Sequence, residues 1–379
     1  MRIAILGAGP AGLYLGYLIK RRRPDADVAV FEQNPANATF GFGVVFSDRA
    51  LEFLRDDDPD TYAAITPAME SWSDITLVLR NERLAIDGIG FAAIGRLQLL
   101  QLLQARLASV GVVPRYERAI SSLDELGDAD LIVGADGVNS LVRKTFSEEL
   151  GASVGYLSNR FAWFGTAKPF DTLTQTFRHT PIGDFNAHHY RYAPNRSTFI
   201  VETDEASFAR AGFERMPADE ARALCEKVFA DALDGHRLIS NNSIWRRFPQ
   251  VSNARWHYGK HVLIGDALRT AHFSIGSGTR LAMEDAIALD RALAAHQDDV
   301  AVALPAFEAA RRPIVEKIVR GANASAGWYE RFAEHQQLPM MEFAISYVMR
   351  SGRIDLERLR AVSPRFVARY EAEQARIGG

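Results

Sequence analysis

Three short apolar runs in this chain each end on glycine. Arg2-Ile3-Ala4-Ile5-Leu6 runs into Gly7-Ala8-Gly9-Pro10-Ala11-Gly12. Ala129-Asp130-Leu131-Ile132-Val133 runs into Gly134-Ala135-Asp136-Gly137, and Lys260-His261-Val262-Leu263-Ile264 into Gly265-Asp266-Ala267. Continuous runs of this length, bounded by turn residues, predict strands. Helical spacing takes over after each turn. Leu13 to Ile19 reads as a buried helix, and a long helix is expected from Leu281 to Leu289. Arg96 opens an amphipathic helix with leucines on its buried side, to Leu107. From about 155 to 203 the period becomes two: Phe161–Thr166, Gln175–His179, Phe185–Arg191 and Ser197–Glu202 alternate, separated by Pro181-Ile182-Gly183 and Pro194-Asn195. That stretch predicts a mostly antiparallel sheet inserted between the glycine segments.

Smaller elements complete the pattern. Ser47 is expected to cap a helix from Asp48 to Leu54. A helix is expected from Ala218 to Leu233, followed by a strand from Ile244 to Phe248. From Leu304 to Tyr329 and from Met340 to Tyr370 the chain is helical with apolar stripes; Trp328, Tyr329, Phe332 and Phe343 either line a pocket or a subunit face or, as the leading reading, pack in the core.

The first segment carries the most chemistry. Strand, glycine turn, helix and the second strand Asp27–Phe31 make a β-α-β unit. Gly7 permits the tight turn, Gly9 lets the backbone approach a pyrophosphate, and Gly12 lets the helix pack on the sheet. Pro10 and Ala11 open the helix, whose free N–H groups face phosphate. Glu32 falls where an acid accepts hydrogen bonds from ribose hydroxyls, and it would repel a 2′-phosphate. A dinucleotide is therefore expected here, without a choice between NAD and FAD.

The other two segments offer carboxylates next to turns. Asp136 either caps a helix or approaches a nucleotide, and both roles are compatible. Asp266 is placed to accept from a sugar-like hydroxyl. The turn through Gly276 and Gly278 aims a helix N-terminus at whatever lies before it. Arg96 either reaches a pyrophosphate or pairs with a surface acid. Phe40-Gly41-Phe42-Gly43-Val44-Val45-Phe46 is either a loop beside the cofactor or a strand edge.

Composition narrows the classes. A net charge of -3 gives no footprint for nucleic acid or an anionic membrane. The single cysteine, Cys225, excludes an internal disulfide and any multi-cysteine metal site, and it sits in a helical pattern as a packing residue. His188 and His189 alternate faces on a strand, so they do not chelate one metal together. Asp56-Asp57-Asp58-Pro59-Asp60 lacks the spacing of a calcium loop and is expected to be an exposed helix terminus. Arg21-Arg22-Arg23 suits a helix C-terminus before Pro24. No secretory leader and no membrane-length apolar run is visible, which makes a cytoplasmic protein the expectation.

In this order the three segments resemble the single-component flavin aromatic hydroxylases of the p-hydroxybenzoate hydroxylase fold, over essentially the whole length. Gly7 to Gly12 with Glu32 match the ADP site. Arg96, Asp136-Gly137 and Gly265-Asp266 match the helix arginine, the middle motif and the ribityl motif. Within the family the chain is similar to the salicylyl-CoA 5-hydroxylases, the flavin half of anthraniloyl-CoA monooxygenases, and the violacein-pathway tryptophan hydroxylase. The stretches Ala271–Thr279, Gly41–Val45 and Phe161–Thr166 carry that likeness. The common third motif continues G-D-A-A-H and then prolines; here Arg269 replaces the histidine and His272-Phe273 fall at the prolines.

The resemblance implies an α/β fold: a Rossmann-like FAD-binding domain, an inserted mostly antiparallel substrate sheet, and C-terminal helices. The FAD domain is expected over 1–70, 92–155 and 255–300, the substrate sheet over 71–91 and 156–254, and the helical region over 301–379. It further implies that NADH or NADPH binds transiently to reduce FAD. O₂ then yields a flavin C(4a)-hydroperoxide, which hydroxylates an activated aromatic ring, either an aryl-CoA thioester such as salicylyl-CoA or a free tryptophan-derived or phenolic acid. A reductase of the same fold without oxygen insertion is the third reading. The chain ends after one flavin domain, so a stand-alone hydroxylase is expected, and a homodimer is allowed for.

The substrate ring is expected near His272, Ser274 and Thr279. His272 is either a base or a loop-packing residue. Phe42, Val44, Phe164, His188 and Phe273 are expected on the substrate wall. Arg269 is there too as an anion ligand, or else forms a structural ion pair. Arg160, Arg178, Arg191, Arg246, Arg247, Arg350 and Arg353 are available to a CoA thioester; without motif support, each is read as charged surface.

Overall fold

The computed structural model describes residues 1–47 and 51–378. The strands, in chain order, begin with β1 (Arg2–Leu6), β2 (Asp27–Phe31), β3 (Gly43–Ser47) and β4 (Glu70–Trp72). Next come β5 (Ile75–Leu79), β6 (Glu82–Ile86), β7 (Phe91–Gly95) and β8 (Leu131–Gly134). β9 (Ala152–Thr166), β10 (Leu173–Thr180), β11 (Gly183–Ala193) and β12 (Arg196–Thr203) form the long antiparallel stretch. β13 (Leu238–Ile239), β14 (Arg246–Asn253), β15 (His257–Tyr258) and β16 (His261–Leu263) complete the set.

The first sheet has the order β15-β16-β8-β1-β2. The three strands that end on glycine turns, β1, β8 and β16, lie side by side and parallel. Their carboxyl ends therefore open on one edge, where an α/β sheet binds ligands. The strands are buried on both faces, which is why they read as unbroken apolar runs. The helix Pro10–Arg22 packs against the helices Gly278–Ala295 and Arg96–Ala108.

The second sheet has the order β13-β9-β12-β11-β10-β5-β6, with β14 added along β9. It draws on residues 75–86 and 152–253, so it starts a few residues before the expected boundary at 156. A third sheet, β3-β7-β4, joins the two. The 30-residue helix Val300–Tyr329 buries Phe307 and Val315 against the first sheet's core and Trp328 and Tyr329 against the second's. The C-terminal helices thus bridge both layers. The helical stretch from Met340 consists of three helices, Met340–Met349, Leu356–Val362 and Pro364–Gly378.

Other expectations change in the folded chain. The proposed cap by Ser47 involves residues 48–50, outside the described residues; the helix described there is Glu52–Asp57. Asp58 is fully buried rather than exposed, capping the helix Pro59–Ile65 and pairing with Arg21 at 3.0 Å. Arg22 and Arg23 both pair with Asp290. The triple arginine therefore ties helices together, beyond its fit to the helix dipole. Cys225 is buried in a helix, and no metal-ligand cluster is found among the described residues. Among the same residues, no helix is long and apolar enough to cross a membrane.

Candidate active site

The three glycine turns meet in space. Gly7 has φ +99°, and a side chain there would collide with the Ala135 carbonyl. Gly265 lies so close to the first helix that a Cβ on it would come within 3.3 Å of the Ala11 methyl. Arg143, buried just after the middle motif, donates from Nη1 to the Ala267 carbonyl at 2.8 Å and also to the Val138 carbonyl. Segments more than 120 residues apart are thereby locked into one rim.

That rim borders a cavity of about 810 Å³. At one end lie Gly7, Gly9, Pro10, Ala11, Glu32, Asn34, Arg118 and Ile120; Arg96, Asp136, Gly137, Asp266, Gly276, Gly278 and Thr279 follow. Gly12 is not on the wall. It is buried against the Gly7 carbonyl, where any side chain would clash, so it serves the helix-to-strand packing. Gly9 is the opposite case: a Cβ there would meet nothing within 4 Å, because it would point into the cavity.

The charges along this cradle are incompletely paired by protein. Arg96 makes no side-chain hydrogen bond among the described residues; burial lowers its pKa, and the nearby Asp266 carboxylate opposes that. Burial raises the Asp266 pKa, against the pull of Arg269 and Arg96. Asp136 accepts from the Leu141 N–H at 2.7 Å through one oxygen, while the other has no partner among the described residues. Asp136 faces the cavity and holds the first N–H of the helix Leu141–Thr145, whose N-cap is Ser140. Glu32 already accepts from the N–H groups of Ala8 and Asn34, each at 2.9 Å, which fixes its carboxylate at the wall. An open glycine cradle, an unpaired arginine and spaced carboxylates fit the pyrophosphate and hydroxyls of FAD.

The far end of the cavity is aromatic. Trp163, Ile200 and His188 form a row across β9, β12 and β11. Phe161 and Tyr190 flank that row, and Phe248 and Phe273 close it, with Phe273 at 5.1 Å from Phe161 and 6.0 Å from Phe248. Val44 and Val45 complete the wall. His188 is buried, and neither ring nitrogen has a partner among the described residues. Burial, then the Arg350 charge, drives its pKa down to about 3, so it is neutral. His189 points to the opposite face and bonds Thr176 at 2.9 Å.

Several expected substrate residues are elsewhere. Phe164 faces the core behind the sheet, because its neighbours Phe161 and Trp163 take the cavity side of the same strand. Phe42 packs over Gly165, where a Cβ would lie 2.5 Å from its ring, and is off the wall. Arg269 is the structural ion pair: it reaches Asp285 at 2.8 Å, buried, away from the cavity lining. His272 and Ser274 sit behind the loop, not on the wall. His272 Nδ1 meets Ser274 Oγ at 2.8 Å, and Ser274 Oγ meets Ser325 Oγ at 2.7 Å. Burial takes the His272 pKa to about 3, which removes it as a base near neutrality. Of the expected catalytic group only Thr279 lines the cavity; of the expected substrate group, Val44, His188 and Phe273 do.

The sequence reading missed Trp163, Phe161, Tyr190 and Phe248. The alternation signal could have found Tyr190, two positions from His188; Phe161 and Trp163 follow only once the phase of β9 is known.

Comparisons with known proteins agree with this geometry. Residues 111–322 match the family model described as an FAD binding domain. A salicyloyl-CoA 5-hydroxylase of Streptomyces sp. is 42% identical over 93% of this chain and 70% of its own length. A 3-hydroxy-4-methyl-anthranilyl-[aryl-carrier protein] 5-monooxygenase of Streptosporangium sibiricum is 36% identical over 93% and 95%. The crystal structure of 2-methyl-3-hydroxypyridine-5-carboxylic acid oxygenase superposes with a TM-score of 0.72 over 95% of this chain and 96% of that one, at 18% identity, which is a likeness of fold. With three glycine turns converging on one flavin-shaped cradle, and relatives this similar over most of the chain, the protein belongs to the FAD binding domain family and is an FAD-dependent aromatic monooxygenase.

Proposed function

We propose that the enzyme hydroxylates an aryl-CoA thioester, salicylyl-CoA at ring position 5, using NADH or NADPH as electron donor. The similarity to the Streptomyces enzyme supplies the substrate class. The observation that carries the reading is the makeup of the ring-binding end. Phe161, Trp163, His188, Tyr190, Ile200, Phe248 and Phe273 surround it; of the arginines on the same cavity wall, Arg96 and Arg118 belong to the cofactor end and Arg246 and Arg247 are exposed at the edge. A free salicylate would bring a carboxylate that needs a cation inside such a site. A thioester carbonyl is neutral and enters an apolar box at much lower cost.

In this reading Gly7, Gly9, Pro10, Ala11 and the helix they open hold the FAD pyrophosphate, with Arg96 as counter-charge. Glu32 and Asp136 meet ribose and ribityl hydroxyls, and Asp266 the ribityl chain. When bound, FAD takes a hydride from the nicotinamide and activates O₂, so that one oxygen atom reaches the ring. The protein orients the ring and keeps water out. The neutral His188 imidazole, with both nitrogens free, takes the hydroxyl ortho to the thioester by a hydrogen bond. Thr279, on the cavity wall, is assigned in this reading to the point where the ring meets the cofactor edge.

The test uses the purified holoenzyme with NADH and NADPH in turn. Salicylyl-CoA should gain one oxygen from ¹⁸O₂, read by product mass, with salicylate a much poorer substrate. Turnover of the free acid without turnover of the thioester ends the CoA reading, and nucleotide oxidation with no labelled product ends the monooxygenase reading of this site.

A further inference from the structure

The mouth of the cavity differs in kind from its interior. It is edged by β9 and β14, whose register slips between Arg247 and Pro249. The Glu330 carboxylate holds the slip open, accepting from the backbone N–H of Ser158 at 2.7 Å and of Asn159 at 3.0 Å. Bulged edges of this kind re-aim side chains. Next to the slip Arg246 and Arg247, neighbours in sequence, both line the mouth. Arg247 pairs with Glu205 at 3.0 Å, and Arg160 shares the same carboxylate at 3.7 Å. Arg246 has no side-chain partner among the described residues. Two guanidiniums thus share one acid, and Arg246 beside them has none among the described residues. Beside them, Val154 and Tyr156 also line the mouth and are 46% and 59% exposed, unusual for large apolar side chains.

We infer that this rim binds the phosphorylated adenosine end of the substrate thioester: Arg246 and Arg247 take the phosphates, and the adenine lies over Tyr156 and Val154. The inference rests on the aryl-CoA reading and assigns the part of that substrate which the aromatic box does not hold. Guanidinium forks match phosphate geometry and stay charged at every working pH. An exposed tyrosine ring offers a face for a purine. The ring of the substrate sits at Phe161 and Phe248, next to the rim, since Arg246 lies opposite Phe161 in the β9–β14 register. An arm leaving the box by the open edge of the sheet therefore passes these arginines first. Nicotinamide nucleotides carry the same adenosine diphosphate chemistry, so the experiment has to separate the two sources.

The experiment compares wild type with the Arg246→Ala/Arg247→Ala variant, both as yellow holoenzyme, on salicylyl-CoA and on the truncated thioester salicyl-N-acetylcysteamine. Both arginines are exposed, so retention of the flavin spectrum checks the fold. The ratio of kcat/KM for the full thioester over the truncated one should fall about tenfold, and less at high salt. An unchanged ratio overturns the inference while leaving the aryl-CoA reading intact. A rise in KM for NADH or NADPH in place of the thioester effect also overturns it, and assigns the rim to the nicotinamide nucleotide. Failure of wild type itself on salicylyl-CoA removes the underlying reading, a result visible before any variant is made.

Discussion

Glu202 shows how much one buried carboxyl can decide. It is 2% exposed, accepts from Asn159 Nδ2 at 2.8 Å and faces Asn186 across the β11–β12 register; its second oxygen is without a partner among the described residues. Burial, with help from Glu330, pushes its pKa up to about 7, and the two asparagines only partly oppose this. An unfolded glutamate titrates near ~4.3. Between those values the folded chain holds the proton more tightly, so the stability due to Glu202 is complete below ~4.3 and is lost as pH rises through about 7. Glu202→Gln is expected to flatten that slope and to be more stable than wild type at pH 8, by a margin on the order of 3 kcal/mol. Denaturant titrations at pH 5 and pH 8 measure it, and parallel wild-type and variant curves would contradict it. His188 and His272 act in the other direction: with pKa values near 3, their contribution is present above ~6.5 and lost as pH falls. Neither interferes above neutrality. At this scale the sequence identified His272, Ser274 and Arg269 as noteworthy but not which way they point. A histidine facing a cavity and one facing a serine behind a loop have the same letters around them.

Glycines in the first turn separate cofactor binding from folding at the scale of an element. Gly12→Ala sets a methyl against the Gly7 carbonyl. It is expected to destabilise the protein by about 1–3 kcal/mol, as overpacking does. Gly9→Ala meets no protein atom within 4 Å, so the fold should survive with its melting temperature little changed. Its methyl would stand where the pyrophosphate approaches, and the FAD dissociation constant should rise at least about tenfold. Thermal melts of the apo-protein and FAD titrations distinguish the two, and equal effects of both variants on both readouts would refute the division. Strand and helix positions were legible here because buried parallel strands, half-buried strands and amphipathic helices have different periods. The phase of β9 was not. Its alternation is plain in Phe161-Ala162-Trp163-Phe164, yet whether Trp163 or Phe164 faces the cavity depends on which layer covers each side, and aromatic residues stand in both phases.

For the whole molecule, the point that joins the layers is Asp285. Fully buried, it accepts from the Gly265 N–H at 3.0 Å, from Arg311 Nε at 3.0 Å and lies 2.8 Å from Arg269 Nη2. It therefore holds the third glycine turn, the helix that follows it and the long helix Val300–Tyr329 in one arrangement. Asp285→Ala would leave two buried guanidiniums short of their shared counter-charge. The expected loss is about 3–5 kcal/mol, with weakened FAD retention, both measurable by chemical denaturation and flavin release. A loss under about 1 kcal/mol would show that the layers are joined by other contacts. The sequence by itself determined the cofactor cradle, because a strand, a glycine turn and a helix N-terminus are local objects whose chemistry is set by neighbours in the chain. It also carried the two-layer plan, through its changes of period, and a resemblance to the family at the glycine motifs. Only the tertiary structure decided the substrate end. That wall is assembled from β9, β11, β12, β14 and the loop at Phe273, segments more than 100 residues apart at the extremes, and which side chains face inward follows from sheet register and helix cover, neither of which is written in any one segment.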